Sequence, residues 1–436
     1  MDNQLAYIDQ ASFLARRALG HEPLQQFVWI YDHDVNLDRL REVHRNLGQT
    51  LLGRRIERSP LPFGRHRWVA APRQGDLEVT QPRPRAELMS WMDEQAMVAI
   101  DPEIGPAWRV AVGPFIEGGA AVTLLVSHSI ADVGGVLTSG FAALEGKKFD
   151  LGYPMPGSRR KARALREDLR AFRQALPEIR KALKSASEVD RGDPGGGSRR
   201  RTAKIRETAT AIRPTVCAVV PIADWDGRAK ELSGNGGVLV AAFAARLGLI
   251  MGQARPDGSV VLRFPVSERG ESDYRANALT GMEVTADPNL VLTKLGPIKI
   301  GLVRGLREVK KGKNELVASL PLAPVTPKWV VRRLTRLALG QGPVVGCTNM
   351  GDVPEELARI DGTDADYVLA RGVECPVGPA ELDRIGDWLL VGSGRLGGNV
   401  LLYVTSWRVG SSNSREELAG FVEQALADFR LSGSFV

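Results

Sequence analysis

The chain has little cysteine. Its three residues, Cys217, Cys347 and Cys375, lie far apart, are odd in number and form no C-x-x-C pair. That excludes a disulfide framework and a cysteine-rich zinc site, so reduced thiols are expected. Long apolar runs are also missing. None reaches the roughly 18 to 20 residues needed to span a bilayer, and "MDNQLAYIDQ" at the start lacks the basic-then-apolar character of a secretion signal. The expectation is a cytoplasmic protein. Aromatic residues make up only 6% of the chain and do not interleave with its basic stretches, which argues against nucleic acid as a partner. There is no P-loop, no G-x-S-x-G elbow, no H-E-x-x-H and no repeat at a fixed short period. Nucleotide-binding, serine-hydrolase, zinc-protease and solenoid readings lose their anchors. With no clustered histidine, cysteine and carboxylate ligands, no metal site is expected.

What is present is a chain of 436 residues, 43% of them hydrophobic, long enough for two or three folding units. Helical and strand patterns alternate from Met1 to about Gly146, with "LDRLREVHRNLGQTLL" helical and "AAVTLLVS" (Ala120 to Ser127) a buried strand. Alternation resumes near Arg213, in "TVCAVVPI", the helix "GGVLVAAFAARLGLIM", "VVLRFPVS" and "NVLLYVTSW". This is an α/β chain. Its net charge of +7 is concentrated between Arg159 and Arg213. There Leu165, Leu169, Phe172, Leu176, Ile179 and Leu183 fall at three- and four-residue spacings, predicting a surface helix over Arg159 to Ser187 with an apolar stripe and cationic flanks. Pro177 should kink or split it. "DPGGGS" (Asp193 to Ser198) reads as a flexible linker. The expected division is a first unit over 1–149, a basic helical linker over 150–212 and a second unit over 213–436.

"GSGRLGG" (Gly392 to Gly398) has the spacing G-x-G-x-x-G, but a strand and not a helix follows it. A dinucleotide fingerprint needs a helix N-terminus there, so a hairpin turn is expected. A different kind of signal is "SHSIADVGG", Ser127 to Gly135. One of only five histidines, His128, stands where the buried strand ends, a place where α/β folds expose side chains to a crevice. It could act there as a base, or simply be satisfied by local backbone. Asp132 follows four residues later, and Gly134 and Gly135 ease a turn into the helix "VLTSGFAAL".

"SHSIADVGG" resembles the H-x-x-x-D signature of the thioester-dependent acyltransferase superfamily, which includes chloramphenicol acetyltransferase, peptide-synthetase condensation domains and wax ester synthase/diacylglycerol acyltransferases. Other segments are similar in the same order: "LAYIDQASFLAR", "NGGVLVAAFAARLG", "FPVSERGESDYRANALTG" and "GPVVGCTNMGDVP". The resemblance implies two chloramphenicol-acetyltransferase-like subdomains set in a V, with a tunnel between them and the H-x-x-x-D motif in the first. It implies His128 as general base and Asp132, with Gly135, as structural parts of the motif. Thr348 or Asn349 would offer an oxyanion donor or, with Asn235, line the tunnel; Asn349 could equally serve a turn. Three departures stand out, one being Val133 where a glycine often follows the motif's aspartate. Ser127 replaces a histidine that often precedes the catalytic one, and Gly236 replaces an aspartate that often follows the central asparagine.

The implied chemistry is direct transfer of an acyl group from a thioester to a hydroxyl or amine, in lipid or natural-product biosynthesis, without an acyl-enzyme and without a cofactor. Acyl-coenzyme A and an acyl carrier protein are both candidate donors, a small molecule or lipid the acceptor, and the basic helix a candidate peripheral contact with a membrane. The contrasting reading is a catalytically inactive condensation-like binding or docking module, since fold does not fix function.

Overall fold

The computed structural model describes residues 3–71, 75–189, 210–270, 273–311, 319–339 and 343–436. The linker expected at Asp193 to Ser198 lies outside them. The N-terminal part supplies β1 (Glu22–Tyr31), β2 (Arg54–Glu57), β3 (Arg67–Ala70), β4 (Glu78–Val79), β5 (Trp108–Pro114) and β6 (Ala120–Ser127). With them come α1 (Tyr7–Leu19), α2 (Leu37–Leu47), α3 (Leu88–Met97) and α4 (Val133–Leu144). All eight residues of β6 are buried, because apolar side chains fill both faces of a central strand. On one face Phe27, Trp29, Leu124 and Val126 pack with Leu40 and Val43 of α2 and Val136 of α4. The other face buries Val28, Ile30, Ala111 and Ala121 against α3 and against Cys217, Val219, Leu401 and Tyr403 from later in the chain.

The rest of the chain supplies α5 (Lys161–Val189), β7 (Thr215–Pro221), α6 (Ile222–Glu231), α7 (Gly236–Ile250), β8 (Val260–Ser267), β9 (Leu279–Ala286) and α8 (Gly296–Lys310). Strands β10 (Val344–Asp352), β11 (Tyr367–Cys375), β12 (Trp388–Leu396), β13 (Asn399–Trp407) and β14 (Ser434–Phe435) follow. Seven strands form the second sheet in the order β14-β7-β13-β12-β10-β8-β9, while the first sheet runs β11-β1-β6-β5-β4. β11 therefore joins the first sheet, pairing antiparallel to β1 from Glu22 opposite Cys375 to Ile30 opposite Tyr367. Through β11 the later part of the chain completes the sheet built by the earlier part. "GSGRLGG" ends β12 and turns at Gly397 and Gly398, both at positive φ, into β13, with Leu396 opposite Asn399. It is a hairpin turn.

The basic segment is helical from Lys161 to Val189 and continues through Pro177 without splitting. Its buried face takes only part of the expected stripe: Ile179 is buried and Phe172 and Leu176 are half-buried, but Leu165, Leu169 and Leu183 are exposed, and Ala164, Asp168 and Ala182 are buried as well. An ion network sets that rotation. Asp168 receives bonds from Arg67 and Arg159 at 3.0 to 3.1 Å and from the Ser59 hydroxyl at 2.6 Å. Turning the leucines inward would leave two arginines near the first sheet without their carboxylate. No single helix among the described residues is long and apolar enough to cross a membrane.

Candidate active site

β6 delivers the chain to His128 and stops, and the loop after it is fixed from both sides. The His128 N–H donates to Pro23 O at 2.9 Å, and its carbonyl accepts from Asn277 Nδ2 at 3.4 Å. Its neighbours share one buried carboxylate. Ser127 Oγ donates to Glu22 Oε1 at 2.5 Å, Ser129 Oγ donates to the same oxygen at 3.2 Å, and Arg16 pairs with the other oxygen. The serine in place of a first histidine thus has a defined task, anchoring the loop to β1. The His128 ring is half-buried and has no hydrogen-bond partner among the described residues. A held backbone with an uncommitted imidazole suits proton transfer to a bound molecule.

Asp132 is 1% exposed and ends the loop as the N-cap of α4, its Oδ1 accepting from Gly135 N at 2.7 Å. The same oxygen accepts from Arg269 Nη2 at 2.7 Å, and Oδ2 accepts from Ala278 N at 2.8 Å. Glycines make this possible. A Cβ on Gly134 would lie 3.2 Å from Arg269 Nε, and one on Gly135 would lie 3.4 Å from Arg269 Nη2 and 3.2 Å from Ala131 Cβ. Bare backbone at the start of α4 lets the guanidinium reach the capping carboxylate. Asp132 faces Arg269 and not the imidazole, so its place is structural.

Arg269 lies between β8 and β9, and the described backbone near it is held by charged side chains from the N-terminal part of the chain. Asp9 of α1 accepts from Ala276 N at 3.0 Å and Asn277 N at 2.8 Å, and Arg54 of β2 donates to Tyr274 O at 2.5 Å and Ile130 O at 2.7 Å. Asp132 N donates to Ala276 O at 2.7 Å. Burial pushes the Asp9 carboxyl above its usual range, against the pull of the two backbone N–H donors and Arg54, and burial lowers the Arg54 guanidinium. "RANALTG" is therefore packed, with Ala276, Asn277 and Ala278 buried.

The other expected residues gather elsewhere. Asn235 caps α7, accepting from Val238 N at 3.0 Å. Asn349 Nδ2 lies close enough that a Cβ on Gly237 would be 3.0 Å from it, and Asn349 Oδ1 accepts from Ser393 Oγ at 3.1 Å and Gly351 N at 2.9 Å. Thr348 sits opposite Gly392 within β10, a strand and not a loop. Among the described residues no hydrogen bond joins any of the three to the His128 loop. Gly236 is explained by its neighbours: a Cβ there would meet Arg395 Nη2 at 2.2 Å and Asp226 Oδ1 at 2.5 Å, so an ion pair occupies the space of a side chain.

Behind the loop lies an apolar cavity of about 70 Å³, bounded by Leu124 of β6, Val136 and Gly140 of α4 and Val43 of α2, with Met350 and Tyr403 reaching in from the second sheet. The strand and the helix that flank the histidine loop are thus its walls. The three thiols are all buried, and burial raises the pKa of each, which ill suits a nucleophile.

The fold, built on a five-stranded and a seven-stranded sheet, is similar to that of solved condensation domains. The chain matches the first condensation domain of the calcium-dependent antibiotic synthetase, solved in complex with a substrate analogue, at a TM-score of 0.56 and 14% identity, over 100% of this chain and 99% of that one. It matches polyketide synthase associated protein 5 from Mycobacterium tuberculosis at 0.53 and 15%, over 98% and 96% of the two chains. The nonribosomal peptide synthetase FmoA3 gives 0.51 and 15%, covering 99% of this chain and 42% of that larger one. No family model and no curated protein sequence matches.

Sequence reasoning singled out His128, Asp132 and Gly135; the last two are joined by a hydrogen bond at the start of α4, and His128 stands at the other end of the same loop. It missed Glu22, Arg16, Arg54, Asp9 and Arg269. Asp9, Arg16 and Arg269 do lie inside two segments that carry the family resemblance, "LAYIDQASFLAR" and "FPVSERGESDYRANALTG", and that was the available signal.

Proposed function

We propose that this protein is an acyltransferase that moves an acyl group from a thioester to a hydroxyl or amine. The observation that carries the reading is the His128 imidazole, uncommitted among the described residues, with its backbone clamped on both sides and an apolar cavity behind it. The acceptor X–H attacks the thioester carbonyl carbon while neutral imidazole takes its proton. The C–X bond forms, the C–S bond breaks, and the proton passes to the departing thiolate. Such base catalysis typically contributes about 100- to 10,000-fold. The cavity would take a part of the acyl chain distant from the thioester, since apolar surface leaving water there is stabilised by about 25 cal/mol per Å².

Glu22, Asp132 and Arg269 position the base from outside the reacting atoms. Thr348 and Asn349 are the donors we assign to the oxyanion side, reached when substrate bridges the two sheets. Incubation with acyl-coenzyme A and with carrier-bound acyl donors in parallel, reading free thiol against a panel of hydroxyl and amine acceptors, tests the reading. Acceptor-dependent thiol release supports it. No acceptor-dependent release from either donor class refutes it.

A further inference from the structure

The cavity behind the histidine loop is apolar with one exception. Tyr403 and Trp29 also line it, but both donors are spent: Tyr403 Oη donates to Val368 O at 2.7 Å and Trp29 Nε1 to Leu357 O at 2.6 Å. His44 of α2 is different. It is 8% exposed, its ring stands 5.0 Å from that of Trp108, and among the described residues its imidazole has no hydrogen-bond partner. Burial lowers its pKa from the usual histidine value, so it is a neutral ring offering one N–H donor and one nitrogen acceptor. A neutral ring that lines an apolar cavity finds no partner among the other walls, so a ligand that offers one gains a hydrogen bond there.

We propose that His44 recognises a hydroxyl on the acyl chain, so that the cavity selects hydroxyacyl over plain acyl donors. The inference rests on the acyl-transfer reading above for the identity of the chain. A hydroxyl fits better than a charged group, which the apolar lining would reject, and better than a carbonyl, which can only accept. Placement agrees with this. Leu124, which lines the cavity, shares its face of β6 with Val126 and lies four residues before His128, about 13 Å along an extended chain. A chain with its thioester at His128 would therefore carry the hydroxyl at a carbon well removed from the carbonyl.

Binding, measured apart from turnover, tests this. Straight-chain carboxylic acids of one length, unsubstituted or hydroxylated at successive carbons, are titrated calorimetrically into the full chain and into its His44→Leu, His44→Gln and His128→Ala variants, with melts confirming folding. One positional isomer should bind about 3- to 10-fold more tightly than the plain acid, the effect of one neutral hydrogen bond. His44→Leu should abolish that preference, His44→Gln should keep part of it, and His128→Ala should leave it intact. If His44→Leu does not fold, loss or retention of the preference in His44→Phe decides in its place. Equal binding of all isomers, no binding of any, or a preference that survives removal of the imidazole overturns the inference. A hydroxyl preference in a protein that transfers no acyl group would instead overturn the enzymatic reading and leave this one standing.

Discussion

Asp132 and Arg269, 137 residues apart in sequence, form a buried ion pair with Oδ1 2.7 Å from Nη2 and side chains 1% and 9% exposed. The pair ties the cap of α4 to the stretch between β8 and β9, so it fixes the histidine loop to the second sheet's connection. Removing either partner leaves an uncompensated buried charge. Asp132→Ala and Arg269→Ala should each cost about 3–5 kcal/mol in denaturant unfolding, and the double variant much less than their sum. Additive losses would mean that the two groups act separately.

Ser127 is fully buried and donates to the buried Glu22 carboxylate. Ser127→His, restoring the paired histidines common in the resembled family, should destabilise by about 1–3 kcal/mol through overpacking and should slow transfer. A faster enzyme of unchanged stability would show that the serine is a loss and not an anchor.

His66 gives the fold a pH dependence separate from catalysis. It packs edge-on to Phe13 at 5.2 Å, its Nδ1 accepts from Ser59 N at 3.3 Å, and burial pulls its pKa from 6.5 to about 4. The folded state favours the neutral ring, so this contribution is complete above pH 6.5 and is lost as pH falls towards 4. About 3 kcal/mol should disappear across that window. In His66→Asn, which keeps an acceptor for Ser59, the slope of stability against pH between 4 and 6.5 should flatten by up to one proton. An unchanged slope would place the titrating group elsewhere.

Much of the local structure was legible because short-range pattern decides it. β6 spans Ala120–Ser127 as the apolar run indicates, and Asp132, followed by glycines, caps α4 as a turn residue should. The hairpin at Gly397 and Gly398 was readable for the same reason. What escaped depends on partners distant in sequence. Nothing in "YVLARGVEC" says that it pairs with β1, and nothing around Asp168 says that Arg67 and Arg159 will draw it inward and leave Leu165 and Leu169 exposed. At the site the histidine and aspartate were visible as a spacing. Their anchors, Glu22, Asp9, Arg54 and Arg269, were not, because each acts through a contact that only the tertiary fold creates.

The central claim is that His128 is the base of an acyl transfer, and His128→Ala tests it most directly. Free-thiol release from the acyl donor, read beside a thermal melt of the same sample, separates chemistry from folding. The imidazole is half-buried and uncommitted among the described residues, so its removal leaves no large core void. The expected result is at least about a 100-fold fall in transfer rate with a cooperative melt close to that of the parent. A variant that melts early while its folded fraction transfers at the parental rate would contradict the account and make His128 a structural residue.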